Sequence, residues 1–286
     1  MSVPALAEAP TQTLQLTVPH VVTPEEQFLF DLQGFLLLKN VLSPEECGRF
    51  LAILEKLEAQ PHDDRARQES HNKTGRPSQP TLEKAPGQTR LNGLLRLDPA
   101  FDALIAHARI APYLEAFVES PQLANTWSIT KSQGHGGGGW HRGVEPTHYH
   151  VRNGKLRTSM LNVIWFLTDN GPEDGCVVAL PGGHKSNFDL KWSAYRGLAM
   201  PGAQAVTGKA GDVFLFSETV LHNGLPKTTP GTRTNLYYNY VGKEINVMTY
   251  SPEHNFHFCM PDSIRARFNE KQRAFTEWMG FARGVE

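Results

Sequence analysis

From about residue 125 the chain becomes a succession of short runs rich in β-branched and aromatic residues: NTWSITKSQ, LRTSMLNVIWFLTD, CVVALP, GLAMPG, QAVTGKAGDVFLF, TVLHNGL and TNLYYNYVG. Gly, Pro or Asn separates each run from the next, and strands at this regular spacing close into a sandwich or an open barrel. No internal repeat divides the chain, and its 286 residues suffice for one large domain with a sizeable core.

The first half supplies helices to pack on one face of such a barrel. Thr23 followed by Pro24 and Glu26 is a helix start, GFLLLKNVL is a short buried strand, and Ser43-Pro44-Glu45-Glu46 is a capping box with proline at the first helical position. Behind that box Cys47, Phe50, Leu51, Leu54 and Leu57 share one helical face, which predicts core. A short helical pattern runs through Phe101, Leu104, Ile105 and Tyr113 to Phe117. Two stretches lack such patterning. Residues 1–22, rich in Pro, Ala and Thr, read as a loose tail. Residues 60–90, polar and proline-dotted, read as a mobile loop and a candidate active-site cover. A single domain is expected over 23–286, closing with an amphipathic helix that packs through Phe268, Phe275, Trp278 and Met279.

Lys plus Arg (28) balances Asp plus Glu (29), which argues against electrostatic capture of nucleic acid or an anionic membrane and leaves a small neutral or anionic substrate. No stretch approaches 18 apolar residues, and the N-terminus has neither a basic start nor a continuous apolar run, so neither a membrane span nor a signal peptide is expected. Cys47, Cys176 and Cys259 are widely spaced without a CxxC pair and read as reduced thiols in a cytoplasmic protein.

Chemistry concentrates at GHGGGGWHRGVEPTHYH, residues 134–150. Of the twelve histidines, His20, His62, His71 and His107 need no special role. His141 follows Trp140 directly after the glycine run, His222 follows the strand GDVFLF, and Arg233 heads the strand TRTNLYYNYV. Two imidazoles meeting across a barrel mouth, with an arginine deeper in, would form a mononuclear iron site with a carboxylate-binding partner, since imidazole suits ferrous iron and guanidinium grips a carboxylate bidentately. Taken singly, each is equally a surface residue beside a turn. His148 and His150, at same-face spacing in THYH, are an alternative metal pair, with Tyr149 facing the other way.

Together, FLFDLQGFLLLKNVLSPEEC, WFLTDNGPEDGCVVALPGGHKSN, GDVFLF, His222 and Arg233 resemble the phytanoyl-CoA dioxygenase family of iron(II)/2-oxoglutarate oxygenases, over about residues 23–243. The resemblance implies an all-β core with added helices, a double-stranded β-helix (jelly roll, cupin-like). It also implies iron(II) on His141 and His222, the distal carboxylate of 2-oxoglutarate on Arg233, and oxidation of a small molecule. Lys131, on the strand before the glycine run, is a second candidate contact for 2-oxoglutarate, although a strand lysine facing water fits the sequence as well. His184 matches a structural turn residue. Trp140, Trp165, Tyr237, Tyr238 and Tyr240 are expected to line or support the barrel, chiefly as packing.

The family pattern is His-x-Asp or His-x-Glu, because residues i and i+2 of a strand project from one face and can converge on one metal. Here His141-Arg142-Gly143 puts a hydrogen where the carboxylate belongs. Four readings follow. Gly143 leaves room for chloride or bromide, as in the halogenases whose His-x-Gly or His-x-Ala this resembles. Alternatively another acid completes the set, either Glu145 or Glu218; each is four residues from a histidine, about 13 Å along an extended strand, so each requires a turn or bulge. Otherwise water fills the gap and hydroxylation proceeds, or the chain binds ligands without redox chemistry. Arg142, beside the vacated position, either meets a halide or an anionic substrate group or faces solvent.

Overall fold

The computed structural model describes residues 20–60, 81–188, 190–243 and 262–277. Helix α1 (Pro24–Gln33) opens with a capping box, the Thr23 hydroxyl accepting from the Glu26 amide while the Glu26 carboxylate accepts from the Thr23 amide. Strand β1 (Phe35–Leu38) follows, then α2 (Pro44–Glu58) with the same reciprocal box on Ser43 and Glu46. Cys47, Phe50 and Leu54 of α2 are buried, and Leu51 and Leu57 pack partly against the same cluster. Next come β2 (Thr81–Ala85), β3 (Gln88–Asn92), α3 (Leu94–Leu97), a 3-10 turn at Pro99–Leu104 and α4 (Ala111–Phe117). The remaining strands are β4 (Pro121–Ser132), β5 (Tyr149–Arg152), β6 (Lys155–Thr158), β7 (Met160–Phe166), β8 (Val177–Ala179), β9 (Gln204–Val206), β10 (Val213–Ser217), β11 (His222–Gly224) and β12 (Thr232–Gly242). Short helices α5 (Asp262–Arg265) and α6 (Glu270–Phe275) close the described chain.

The strands form a seven-stranded antiparallel sheet, β1-β10-β7-β12-β4-β3-β2, and a three-stranded one, β11-β8-β9, with β5 and β6 as a separate hairpin. The segment at His141 bridges β11 and so extends the smaller sheet. This is a double-stranded β-helix, a jelly roll with helices added. The period-2 alternation of strands gives the large sheet two different faces. On β12, Leu236, Tyr238 and Tyr240 join the core beneath the helices, where the Tyr238 hydroxyl donates to the Phe101 carbonyl and the Tyr240 hydroxyl to the Ile105 carbonyl, both at 2.7 Å. Arg233, Tyr237 and Asn239, on the alternate positions, line a cavity of about 580 Å³.

Three expectations change. The loop predicted over 60–90 gives way to the β2–β3 hairpin from residue 81 onward; residues 61–80 lie outside the described part. Residues of β3 paired with Lys131 and Ile129 of β4, namely Gln88 and Arg90, line the cavity, so the strand lacks the apolar alternation that marks a core strand; only Leu91 faces the core. GLAMPG is no strand: Gly197–Ala199 makes a 3-10 turn. Of the expected tail, 1–22, residues 1–19 fall outside the described part, and His20 is held to the fold, its Nε2 2.6 Å from the Tyr113 hydroxyl. Phe268 and Phe275 are buried as expected, whereas Trp278, Met279 and Cys259 are not among the described residues. Cys47 and Cys176 are buried free thiols. Among the described residues no helix is long and apolar enough to cross a membrane.

Candidate active site

His141 and His222 exchange two backbone hydrogen bonds, each amide donating to the other's carbonyl at 3.0 Å. In an antiparallel bridge of that kind the two side chains emerge on the same face, and the ring centroids stand 4.2 Å apart. The glycine run makes the approach possible. Gly137 has φ +83°, a Cβ there would lie 2.8 Å from the Gly224 carbonyl oxygen, and the next amide, Gly138, donates to that same oxygen at 2.8 Å. The chain therefore lies flat over β11 and delivers His141 beside His222.

Both rings are held in one tautomer. His141 Nδ1 is 2.9 Å from the Gly139 carbonyl oxygen and His222 Nδ1 is 2.9 Å from that of Val220. A carbonyl only accepts, so each Nδ1 carries a proton, and in the neutral ring the lone pair then lies on Nε2, the orientation that backbone carbonyls impose on metal-binding histidines. Burial holds His222 below the usual histidine range, with nearby Glu218 pulling the other way. An uncharged imidazole is the form that binds a metal.

The same cavity is also lined by buried cations. Arg233, 1% exposed, and Lys131, 6% exposed, are cross-strand partners on β12 and β4. Arg233 Nη2 donates to the Gly175 carbonyl at 2.8 Å and its Nε has no partner; Lys131 Nζ reaches the Gly175 and Leu225 carbonyls only at 3.4 Å. Neither has an anionic partner among the described residues. Burial, then the charge of Arg233, lowers Lys131 to about 7. Two buried cations without a counter-ion are costly unless an anion joins them, and a dicarboxylate spanning the cavity supplies one. Imidazoles and buried cations around one cavity fit ferrous iron with 2-oxoglutarate.

The other candidates separate clearly. Glu218 lines the same cavity, its Oε2 4.0 Å from His222 Nε2, because the chain turns between β10 and β11 instead of running extended. Glu145 and Arg142 line a different groove, of about 430 Å³, together with Leu180, Trp192 and Leu221. Neither lines the cavity. His148 pairs with the Ser159 hydroxyl at 2.8 Å and His150 is exposed on the β5–β6 hairpin, so that pair does not converge on it either. His184 is buried, 3.1 Å from the Asp31 carbonyl and edge-on to Tyr149, a packing role. Trp140 and Trp165 are core, whereas Tyr237 stacks on Trp127 at 5.1 Å along the cavity wall. Among the described residues no group of three or more His, Cys, Asp or Glu side chains stands close enough to hold a metal ion as placed; His141, His222 and Glu218 line one cavity together.

Sequence reasoning missed Asn162, Asn239, Arg90 and Trp127, which all line the cavity. Asn162 and Asn239 are buried polar residues at cross-strand positions of β7 and β12, and neither Asn239 amide atom has a partner among the described residues. The signal was present in NVIWF and NLYYNY, where asparagine interrupts otherwise apolar runs.

The family model described as phytanoyl-CoA dioxygenase matches residues 30–235, well over half of the chain. The chain belongs to the phytanoyl-CoA dioxygenase family. It is thus an iron(II)/2-oxoglutarate-dependent dioxygenase by class. Similar proteins include the ectoine dioxygenase of Nocardia farcinica, 26% identical over 253 residues, covering 79% of this chain and 80% of that one. The ectoine dioxygenase of Stutzerimonas stutzeri is 24% identical over 74% of each chain. Among solved structures, HygX from Streptomyces hygroscopicus with nickel and 2-oxoglutarate bound superposes with a TM-score of 0.64 at 22% identity, covering 79% of this chain and 89% of its own. The fold of this phytanoyl-CoA dioxygenase family member is therefore the one seen there.

Proposed function

We propose that this protein hydroxylates an unactivated C–H bond of a compact polar small molecule, using ferrous iron held by His141 and His222 and 2-oxoglutarate oriented by Arg233 and Lys131. The observation that carries the proposal is one cavity lined both by two imidazoles with Nδ1 held by backbone carbonyls and by two buried cations that have no anionic partner among the described residues. Iron and 2-oxoglutarate supply the oxidising power: one dioxygen and one 2-oxoglutarate are consumed, and succinate and carbon dioxide leave as one oxygen atom enters the substrate. The protein's own share is positioning and shielding. Arg233 and Lys131 fix one carboxylate of the co-substrate by charge-assisted hydrogen bonds, and Ile164, Val177 and Phe216 give the cavity apolar wall.

Substrate space is the part of the cavity lined by Gln88, Arg90, Asn125 and Asn239. Arg90 lies over the Trp127 ring at 5.1 Å, and the unpartnered amide of Asn239 calls for a hydrogen-bonding ligand. That lining suits a molecule with polar groups better than a fatty chain, in keeping with the ectoine of the relatives and the hygromycin B bound by HygX.

The test is 2-oxoglutarate turnover with compact polar molecules, ectoine and aminocyclitols first, in buffers with and without chloride. Substrate-dependent succinate release should vanish in His141→Ala and His222→Ala, and the product should carry an added oxygen whatever the salt. A chlorinated product would convert the proposal to halogenation. Undiminished turnover in both variants would remove these histidines from the metal site.

A further inference from the structure

Gly143 stands where the family pattern places a metal-binding carboxylate, and its backbone does not demand glycine: its φ lies outside the left-handed region. What excludes a side chain there is Glu218. A Cβ on Gly143 would meet Glu218 Oε2 at 2.5 Å, closer than real Cβ atoms come to their neighbours, and Glu218 Cβ and Cδ each at 3.1 Å, tighter than most such contacts. The Gly143 amide donates to the Glu218 carbonyl at 2.9 Å, and the Glu218 amide donates to Met160 O at 3.0 Å. Asn162 Nδ2 donates to Glu218 Oε1 at 2.8 Å. Glu218 is thus fixed by backbone and side chain, 6% exposed, with one carboxylate oxygen bonded and the other, Oε2, turned toward His222 Nε2 at 4.0 Å.

We infer that Glu218 is the third metal ligand, its carboxylate reaching from the β10–β11 turn into the space that an aspartate at 143 would occupy. The glycine and the glutamate are two halves of one exchange: removing the side chain from the His141 segment makes room for a carboxylate from across the bridge. Asn162 is the positioning residue that orients it, as outer partners orient metal-bound carboxylates elsewhere. The coordination position is therefore filled by protein, leaving none vacated for a halide. This inference rests on the reading of His141 and His222 as ligands and deepens it.

The experiment is anaerobic calorimetry of Fe(II) binding to the full-length protein, with thermal shift on Mn(II) addition as a second readout and circular dichroism to establish that each variant folds. Glu218→Ala and Glu218→Gln should each weaken Fe(II) binding at least tenfold. Gly143→Asp alone should weaken it too, since the new carboxylate collides with Glu218. Gly143→Asp combined with Glu218→Gly should bring affinity back to within about tenfold of the parent, a rescue that a merely structural glutamate would not give. In the 2-oxoglutarate complex, chloride should perturb the visible spectrum of Glu218→Ala and leave the parent unchanged. Fe(II) affinity unaltered in both Glu218 variants, while His141→Ala and His222→Ala abolish it, would overturn this inference and keep the histidine site. Affinity unaltered in the histidine variants would overturn the site itself.

Discussion

The two faces of strand β12 carry opposite instructions. Leu236, Tyr238 and Tyr240 sit in a core closed by helices, and each buried hydroxyl there has a carbonyl to donate to. On the alternate positions, Arg233 and Asn239 are just as buried but left with nitrogen or oxygen atoms that have no partner among the described residues. In a protein interior such groups are paired almost without exception, so the contrast marks which face is built for folding and which is reserved for ligands. Equal burial on the two faces therefore has unequal consequences when side chains are removed.

Substitutions should separate the faces. The largest effect belongs to Arg233→Met. Losing one partner of a buried charge pair costs roughly 2–5 kcal/mol, so the Kd for 2-oxoglutarate should rise roughly a hundredfold or more by calorimetry. The ligand-free protein should remain as stable as the parent, because a lone buried charge has been removed. On the opposite face, Leu236→Ala should cost about 2–5 kcal/mol in urea unfolding while 2-oxoglutarate affinity in the folded fraction stays within about twofold. Equal stability losses at Arg233 and Leu236 would erase the distinction.

Lys131 gives the comparison a pH axis. Its value falls from 10.5 in an unfolded chain to about 7 in the folded one. Between those limits the unfolded state binds more protons, so stability rises with pH across that window, and the full penalty of burying the charge is felt below about 7. Lys131→Met should therefore raise Tm most near pH 6, with a gain that shrinks toward pH 9. In the parent, 2-oxoglutarate binding above pH 7 should take up a proton, seen as a buffer-dependent enthalpy that the variant lacks. The smallest effect is expected for Asn239→Leu, which removes unpartnered polar atoms: a gain of about 1 kcal/mol, ~2–4 °C in Tm, with weaker substrate binding. A loss of stability there would show that Asn239 serves the fold.

What the sequence made legible follows the same division. Face-forming rules read α1, α2 and most of β4 to β12 correctly, because apolar periodicity and capping boxes report the core. They failed at β3, where Gln88 and Arg90 face the cavity and break the periodicity that identifies a strand. His141, His222, Arg233 and Lys131 were legible from position beside strands and from family resemblance, and the structure gathers all four around one cavity. Choosing between Glu145 and Glu218 was beyond the sequence. Each sits four residues from a histidine, and only the turn at 218–221 and the direction of the Pro146–His148 turn send one inward and the other to a separate groove.

The most direct test of the central claim, that His141 and His222 share one ferrous ion within reach of Arg233, is an anaerobic titration with Fe(II) and 2-oxoglutarate followed by the visible charge-transfer band of the chelate. One equivalent of each should saturate the band in the parent protein. It should be absent in His141→Ala and His222→Ala, and in Arg233→Met it should appear only with excess 2-oxoglutarate. No band at saturating iron in the parent, or an undiminished band in His222→Ala, would contradict the account.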